Sequence, residues 1–371
     1  MKRIFATLIT VSSLARMAAA EPISPELAQQ VRDAIGKGVA WLTGQQKENG
    51  AWSEENMPAL TALPLWAVTA SGRADTSTAQ DKAVANILGK QQADGGFYVM
   101  QERQGGGLGN YNTSVCVAAL HATGRKDLTP AILKARAYIA SSQLTGETQH
   151  AGGFGYDKNA PRPYTDLNNT AFALDAMRRT QSAEDLRPAG ERRVDVNWDA
   201  ALKYVEQLQA KEGDTKGGFA YNKEAPRGGP GAEAAANADG TVALRAYGSM
   251  TYAGVLSLVH AKVDKGDPRV RAAFEYASRF WTVDENPGQG QQGLFFYYNI
   301  MSRALTAAGS DTLAKDTGDI RWREEMIKKV LTLQKPDGSW VNDNNRWWEN
   351  DPVLATSYAL LALEFASGMT K

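Results

Sequence analysis

Three residues at the start of one apolar segment have the types and spacing for acid–base chemistry. Asp166, Asn169 and Thr170 stand at i, i+3 and i+4 in TDLNNTA, so a helix places them on one face. Pointing inward, that face would line a cavity mouth, with a carboxylate able to take up or return a proton. Asp166 also suits a helix N-cap, and the two roles can coexist. A second set lies in Asn342 to Asp351, NDNNRWWEND, where Asp343 and Asp351 flank Arg346, Trp347 and Trp348. Paired acids in a cavity do general acid–base work once burial raises one pKa; the alternative is a solvated loop that ends in a cap. Aromatic residues form a third set. Trp66, Tyr111, Tyr164, Tyr247, Tyr252 and Phe296, with Tyr297, Tyr298 and Tyr358, fall at or just inside the starts of predicted helices. Gathered together they would wall an apolar pocket whose ring faces stabilise cationic character; dispersed, they are core. Metal chemistry has little to work with. The lone Cys116 and His121 are five residues apart, about 140° around a helix, and His150 and His260 are distant, so no zinc site and no cofactor are expected.

The elements that must position these residues repeat. Phe97 and Thr113, Phe154 and Thr170, and Trp340 and Thr356 are each separated by 16 residues, in a frame of Gly, an aromatic residue, a loop and then an apolar helix. The unit recurs with turn aromatics at 52, 97, 154, 219, 295 and 340, the fifth copy being degenerate. Before each turn, a helix with a charged face is predicted near 25–46, 77–92, 130–143, 197–210, 268–282 and 320–334. After each turn, a nearly uncharged helix is predicted near 58–72, 111–124, 166–180, 246–263, 297–309 and 352–367. A helix that is apolar all round must be covered all round, so the uncharged set belongs inside and the charged set outside. No run alternates with period two, so the fold class is all-α. Repeats of this kind bury a core only against their neighbours.

Length and composition bound the rest. Residues 1–20 run from Lys2-Arg3 through the apolar Ile4 to Leu14 to Ala18-Ala19-Ala20, the layout of a secretory signal peptide. That predicts a secreted or periplasmic protein with no transmembrane anchor after cleavage, its mature chain at 21–371 forming a single toroid domain. Charge is balanced, 41 basic against 41 acidic residues, so neither nucleic acid nor an anionic membrane surface is an expected partner. Cys116 lies in an apolar run and reads as a buried, unreactive thiol. The small-residue stretch Ala225 to Arg245 reads as a flexible insertion over one end of the domain. Gly105 to Gly109 follows no strand and is not a dinucleotide fingerprint, and no GxSxG, HExxH or Walker sequence is present.

Lys37-Gly38, Trp41-Leu42, Gln46 and Gly50-Ala51-Trp52, repeated along nearly all of the mature chain, resemble the QW repeat of squalene and oxidosqualene cyclases and of protein prenyltransferase β subunits. The resemblance implies a terpenoid cyclase-like (α/α)6 toroid of six QW-like repeats around a central cavity. Squalene-type cyclases protonate their substrate with the central acid of Asp-x-Asp-Asp-Thr-Ala. TDLNNTA matches that motif at Asp166, Thr170 and Ala171 but places Asn168 at the proton donor, and an amide cannot protonate an alkene. The implied function is therefore a divergent one. An apolar cavity would bind an isoprenoid-like or other lipid chain, with isomerase or transferase chemistry. Asp166, Asp351 and Asp343 would be the acid–base groups. Asn169, Thr170, Tyr164, Tyr247, Tyr252, Tyr297, Tyr298, Trp347 and Trp348 would contact the ligand. Two other readings stand beside it: a non-catalytic module that binds an extracytoplasmic protein, and a carbohydrate-active lyase or hydrolase on the same fold.

Overall fold

The computed structural model describes residues 23–100, 107–160, 162–223 and 244–368. The predicted leader at 1–20 and nearly all of the predicted insertion at 225–245 lie outside the described residues. Twelve α-helices are present among them: α1 (Pro25–Gly44), α2 (Ala59–Ala70), α3 (Ser77–Leu88), α4 (Gly109–Ala122), α5 (Thr129–Ser142), α6 (Leu167–Arg179), α7 (Trp198–Glu206), α8 (Gly248–His260), α9 (Pro268–Arg279), α10 (Leu294–Ala307), α11 (Trp322–Thr332) and α12 (Pro352–Ser367). Only isolated bridges, and no extended ladder, occur among the described residues. The even-numbered helices contact one another in a closed circuit, α2 to α4, α6, α8, α10, α12 and back to α2, and the odd-numbered helices pack outside it. The fold is an all-α, double-layered α/α toroid, as the alternation of charged-face and apolar helices requires. In the inner α12 every residue from Val353 to Ala366 is buried, whereas the outer α3 buries only Ala83, Val84 and Ile87.

The sixteen-residue interval has a direct physical cause. The Phe97 amide donates to Thr113 Oγ1 at 2.8 Å, Phe154 to Thr170 at 3.1 Å and Trp340 to Thr356 at 2.9 Å. The first turn of each inner helix is thus tied to the aromatic that precedes it. The shorter and longer units keep the bond across different loops, Trp52 to Thr61 and Phe219 to Thr251, both at 3.2 Å.

Glutamines join most units to the next. Gln143 Nε2 donates to Gly152 O within its own turn at 3.0 Å and to Asn197 O at 2.9 Å, at the N-cap of the following outer helix. Gln46, Gln91 and Gln209 do the same around the ring. Gly152 lies at φ +88°, and a Cβ there would stand 2.0 Å from Ala200 O of α7, so both the turn and the close approach demand glycine. The last joint closes the ring on the first unit: Gln334 Nε2 donates to Gly338 O at 3.0 Å and to Ala34 O of α1 at 2.9 Å. Gln334→Leu should therefore lower unfolding stability by about 2 kcal/mol, read from the urea midpoint, because two hydrogen bonds to carbonyls are lost at the seam.

The fifth unit corrects the expectation. Phe295 is no turn aromatic; it is the second residue of α10. The turn in that unit is built by Asn286, whose side chain accepts from Ser249 N at 2.9 Å and donates to Ser249 Oγ at 3.1 Å. Asn286 N also pairs with Gly290 O at 2.8 Å.

Candidate functional site

The N-terminal ends of the inner helices surround a cavity of about 620 Å³. Leu60, Tyr111, Asn168, Met250, Phe296 and Leu354 reach it from the first turns of α2, α4, α6, α8, α10 and α12 in that order. Phe172 and Tyr358 reach it from one turn deeper. Rings interlock there: Phe172 packs on Tyr111 with centroids 5.4 Å apart, and Phe296 packs on both Phe172 (6.2 Å) and Tyr358 (5.8 Å). Loop residues form the mouth, among them Glu54, Asn56, Gln289, Gln292, Trp347 and Trp348. The cavity is thus aromatic and apolar at its floor and polar at its entrance.

Asp166 is fully buried immediately behind the wall formed by Tyr156 and Tyr221. It caps α6, with Oδ1 accepting from Asn169 N at 2.8 Å and Oδ2 from Asn169 Nδ2 at 2.7 Å. The Tyr221 hydroxyl also bonds to it, and that hydroxyl lies 2.9 Å from the Tyr156 hydroxyl. Burial pushes the Asp166 carboxyl up to about 7, against the pull of these hydrogen bonds. Asp166, Tyr221 and Tyr156 therefore form a hydrogen-bonded chain that ends at the cavity. Asn168, where the resembled cyclases carry their acid, faces the cavity directly with an amide.

The second acidic segment is arranged differently from its sequence appearance. Asp343 is exposed, and Asp351 is the N-cap of α12, accepting from Val353 N at 2.9 Å and bonded to Ser53 Oγ; neither lines the cavity. The carboxylate that does is Glu349, which is fully buried. It accepts from Phe296 N at 2.7 Å, Phe295 N at 3.2 Å and Asn342 Nδ2 at 2.8 Å, capping α10 from more than fifty residues away. Burial raises its pKa against those bonds. Trp347 and Trp348 beside it occupy the left-handed region, at φ 61° and 66°, and are half exposed at the rim. Two successive bulky residues in that region are strained, and such strain persists only where surrounding contacts hold it. Trp347 packs toward Tyr221 with centroids 6.5 Å apart, joining the lip to the Asp166 chain.

Of the other residues singled out in the sequence, Tyr247 lines the cavity, while Tyr164 lies behind it, stacked on Tyr156 at 6.2 Å. Asn169 and Thr170 serve the α6 cap and the aromatic tie. Tyr252, Tyr297 and Tyr298 are buried between helices and away from the cavity. Tyr252 is bonded to Tyr297, whose hydroxyl donates to Thr282 O at 2.9 Å, and Tyr298 donates to Val283 O at 2.6 Å. Cys116 is buried, and burial pushes its thiol pKa up. The sequence reading overlooked Glu54, Tyr156 and Tyr221. All three stand two residues after a turn aromatic (Trp52, Phe154 and Phe219), a regularity that would have found them. Among the described residues no group of His, Cys, Asp and Glu is arranged to hold a metal ion, and no helix is long and apolar enough to cross a membrane.

No protein-family model matches the chain, and no curated protein matches it. Solved structures do. The type II terpene cyclase MstE from Scytonema aligns with TM-score 0.57 and 14% identity over 92% of this chain and 99% of that one. An MstE variant in complex with its substrate geranylgeranyl dihydroxybenzoate aligns with TM-score 0.55 and 13% identity, over 93% and 99%. The GH76A α-1,6-mannanase from Salegentibacter aligns with TM-score 0.56 and 12% identity, over 93% and 99%. At such identities the likeness is one of fold, and the chain shares the α/α toroid with a terpene cyclase and a mannanase alike.

Proposed function

We propose that the protein binds an isoprenoid-like apolar chain in its central cavity and transfers a proton to or from it, as an isomerase or transferase. The observation that carries this reading is the cavity itself. Its volume is that of a small-molecule site, its floor is made of Phe172, Phe296, Tyr111 and Tyr358, and one hydrogen-bonded carboxyl stands behind its wall. The bound substrate of MstE, which carries a geranylgeranyl chain, supports it. The chain would lie on the aromatic floor, with its reacting part beside the Tyr156 and Tyr221 hydroxyls. A carboxyl titrating near 7 suits general acid–base transfer at neutral pH, and Tyr221 is the atom path between it and the substrate. It is too weak an acid to protonate an isolated alkene, consistent with the amide at Asn168. The pattern of residues 1–20 supports a site of action outside the cytoplasm.

Organic extraction and mass spectrometry of the protein purified from its own organism test this directly, paired with titration by geranylgeraniol while the rim Trp347 and Trp348 fluorescence is followed. A co-purifying isoprenoid or lipid in stoichiometric amount, and saturable quenching, are expected. The mannanase neighbour, the half-exposed tryptophan pair, the rim acid Glu54 and the buried Glu349 in the cavity lining favour a second reading, an oligosaccharide site. An empty protein that ignores geranylgeraniol and responds to α-1,6-mannooligosaccharides would replace the first reading by that one. An empty protein that responds to neither would leave the extracytoplasmic interaction module.

A further inference from the structure

Below the aromatic floor the lumen is not apolar throughout. Phe296, Asn299 and Arg303 stand at i, i+3 and i+7 on α10, so they share one face, and Phe296 lines the cavity. Asn299 is fully buried, and neither its amide oxygen nor its amide nitrogen has a hydrogen-bond partner. Further down, the Arg303 side chain is 1% exposed. Its Nη2 donates to Asp175 Oδ2, whereas Nε and Nη1 have no partner. The guanidinium stands 5.9 Å from the ring of Phe172, which is itself part of the cavity floor, and 5.0 Å from the ring of Trp66.

Charge around this point is unbalanced. Asp175 is shared by Arg303, by Arg179 Nε at 2.9 Å and by His260 Nε2 at 2.8 Å. Burial holds the His260 pKa below its ordinary value, so the ring is neutral near pH 7. One buried carboxylate thus faces two guanidinium groups, that of Arg303 in the core and that of Arg179 with a side chain 28% exposed. Unmade hydrogen bonds on buried polar groups cost about 1–3 kcal/mol each, so four such atoms in one stripe leave hydrogen-bonding capacity that a ligand group could use.

We propose that Asn299 and Arg303 form an anion-accepting subsite under the cavity floor that takes the carboxylate of a long apolar acid. This rests on the apolar-chain reading and names the substrate class for it: an acid that enters carboxylate first and carries at its far end a group more readily protonated or deprotonated than an isolated alkene, placed beside Tyr156 and Tyr221. Tyr111 and Tyr358, whose hydroxyls bond to each other, both line the cavity, and Tyr358 also acts electrostatically on Arg303. Turning the Tyr358 hydroxyl aside breaks one hydrogen bond, which the new charged pair replaces.

The test compares geranylgeranoic acid with geranylgeraniol, two chains of equal length, by calorimetry and thermal shift at pH 8. The wild type is expected to bind the acid at least about tenfold more tightly, the worth of a charge-assisted hydrogen bond. Arg303→Met should keep the alcohol's affinity and lose the preference. Should that variant not fold, Asn299→Leu, which leaves the ion cluster untouched, should reduce the preference alone. Equal binding of the two chains by the wild type, or a preference that survives both substitutions, overturns the subsite while leaving the cavity reading intact. Binding of neither chain by the wild type overturns both.

Discussion

Asp166→Asn should reduce cavity proton transfer by about 10²–10⁴-fold while leaving α6 folded. Asparagine caps a helix as well as aspartate does, so the loss would come from the ionisable oxygen and not from the helix. The same variant carries a stability signature that needs no substrate. In the folded protein Asp166 titrates near 7, and in the unfolded chain near 3.8, so the native state binds the extra proton between those values. The stability linked to that proton is fully present below pH 3.8 and is lost as pH rises through 7. The gap corresponds to about 4 kcal/mol at most. Urea unfolding at pH 5 and pH 8 should therefore show a steeper decline with pH for the wild type than for Asp166→Asn, and the variant should be at least as stable at pH 8. Parallel pH profiles would mean that Asp166 titrates in the ordinary carboxylate range, and the proposed acid–base role would lose its basis.

Arg136→Met should be the most destabilising of the substitutions considered, by about 3–5 kcal/mol, because it leaves part of a buried ionic set unpaired. Arg136 is 1% exposed and spends every nitrogen. Nε donates to Glu184 at 2.8 Å, Nη1 to Met177 O and Thr180 Oγ1 at 2.7 Å each, and Nη2 to Val194 O at 2.9 Å. An outer helix thereby holds the C-terminal end of α6, whose other end carries Asp166 and Asn168. Arg187 still pairs with Glu184, so the carboxylate would not be wholly abandoned. A urea midpoint equivalent to less than about 1 kcal/mol of loss would show that the packing around α6, and not this guanidinium, fixes the helix.

Architecture was legible because it is local and repeated. A glycine, an aromatic and a threonine at a fixed interval encode one hydrogen bond, and the bond recurs wherever the interval does. Inner and outer helices lie within four residues of their predicted limits wherever the unit is regular. The fifth unit was misread because its turn is closed by Asn286, a polar side chain acting across the gap to Ser249, which carries no periodic signal. The candidate site was less legible for a related reason. Asp343 and Asp351 stood out as acids near tryptophans, yet Glu349 between them enters the cavity because it caps α10, a helix distant in sequence. Tyr156 and Tyr221 carry an aromatic type common to any core. Their meaning appears only when the turns are superimposed and the position two residues beyond Trp52, Phe154 and Phe219 is seen to face the cavity.

The seam between Gln334 and Ala34 also bears on how the molecule comes apart. A linear array of repeats has two free ends, and its terminal units fray at lower free energy than the middle ones. Here the last unit is docked on the first by the same glutamine bonds that join most of the others, so no inner helix is terminal in the circuit of contacts. Unfolding should be all-or-none, with amide hydrogen exchange in α2 and α12 as slow as in α6. Opening the seam by Gln334→Leu should convert those two helices into ends, and their exchange should quicken first.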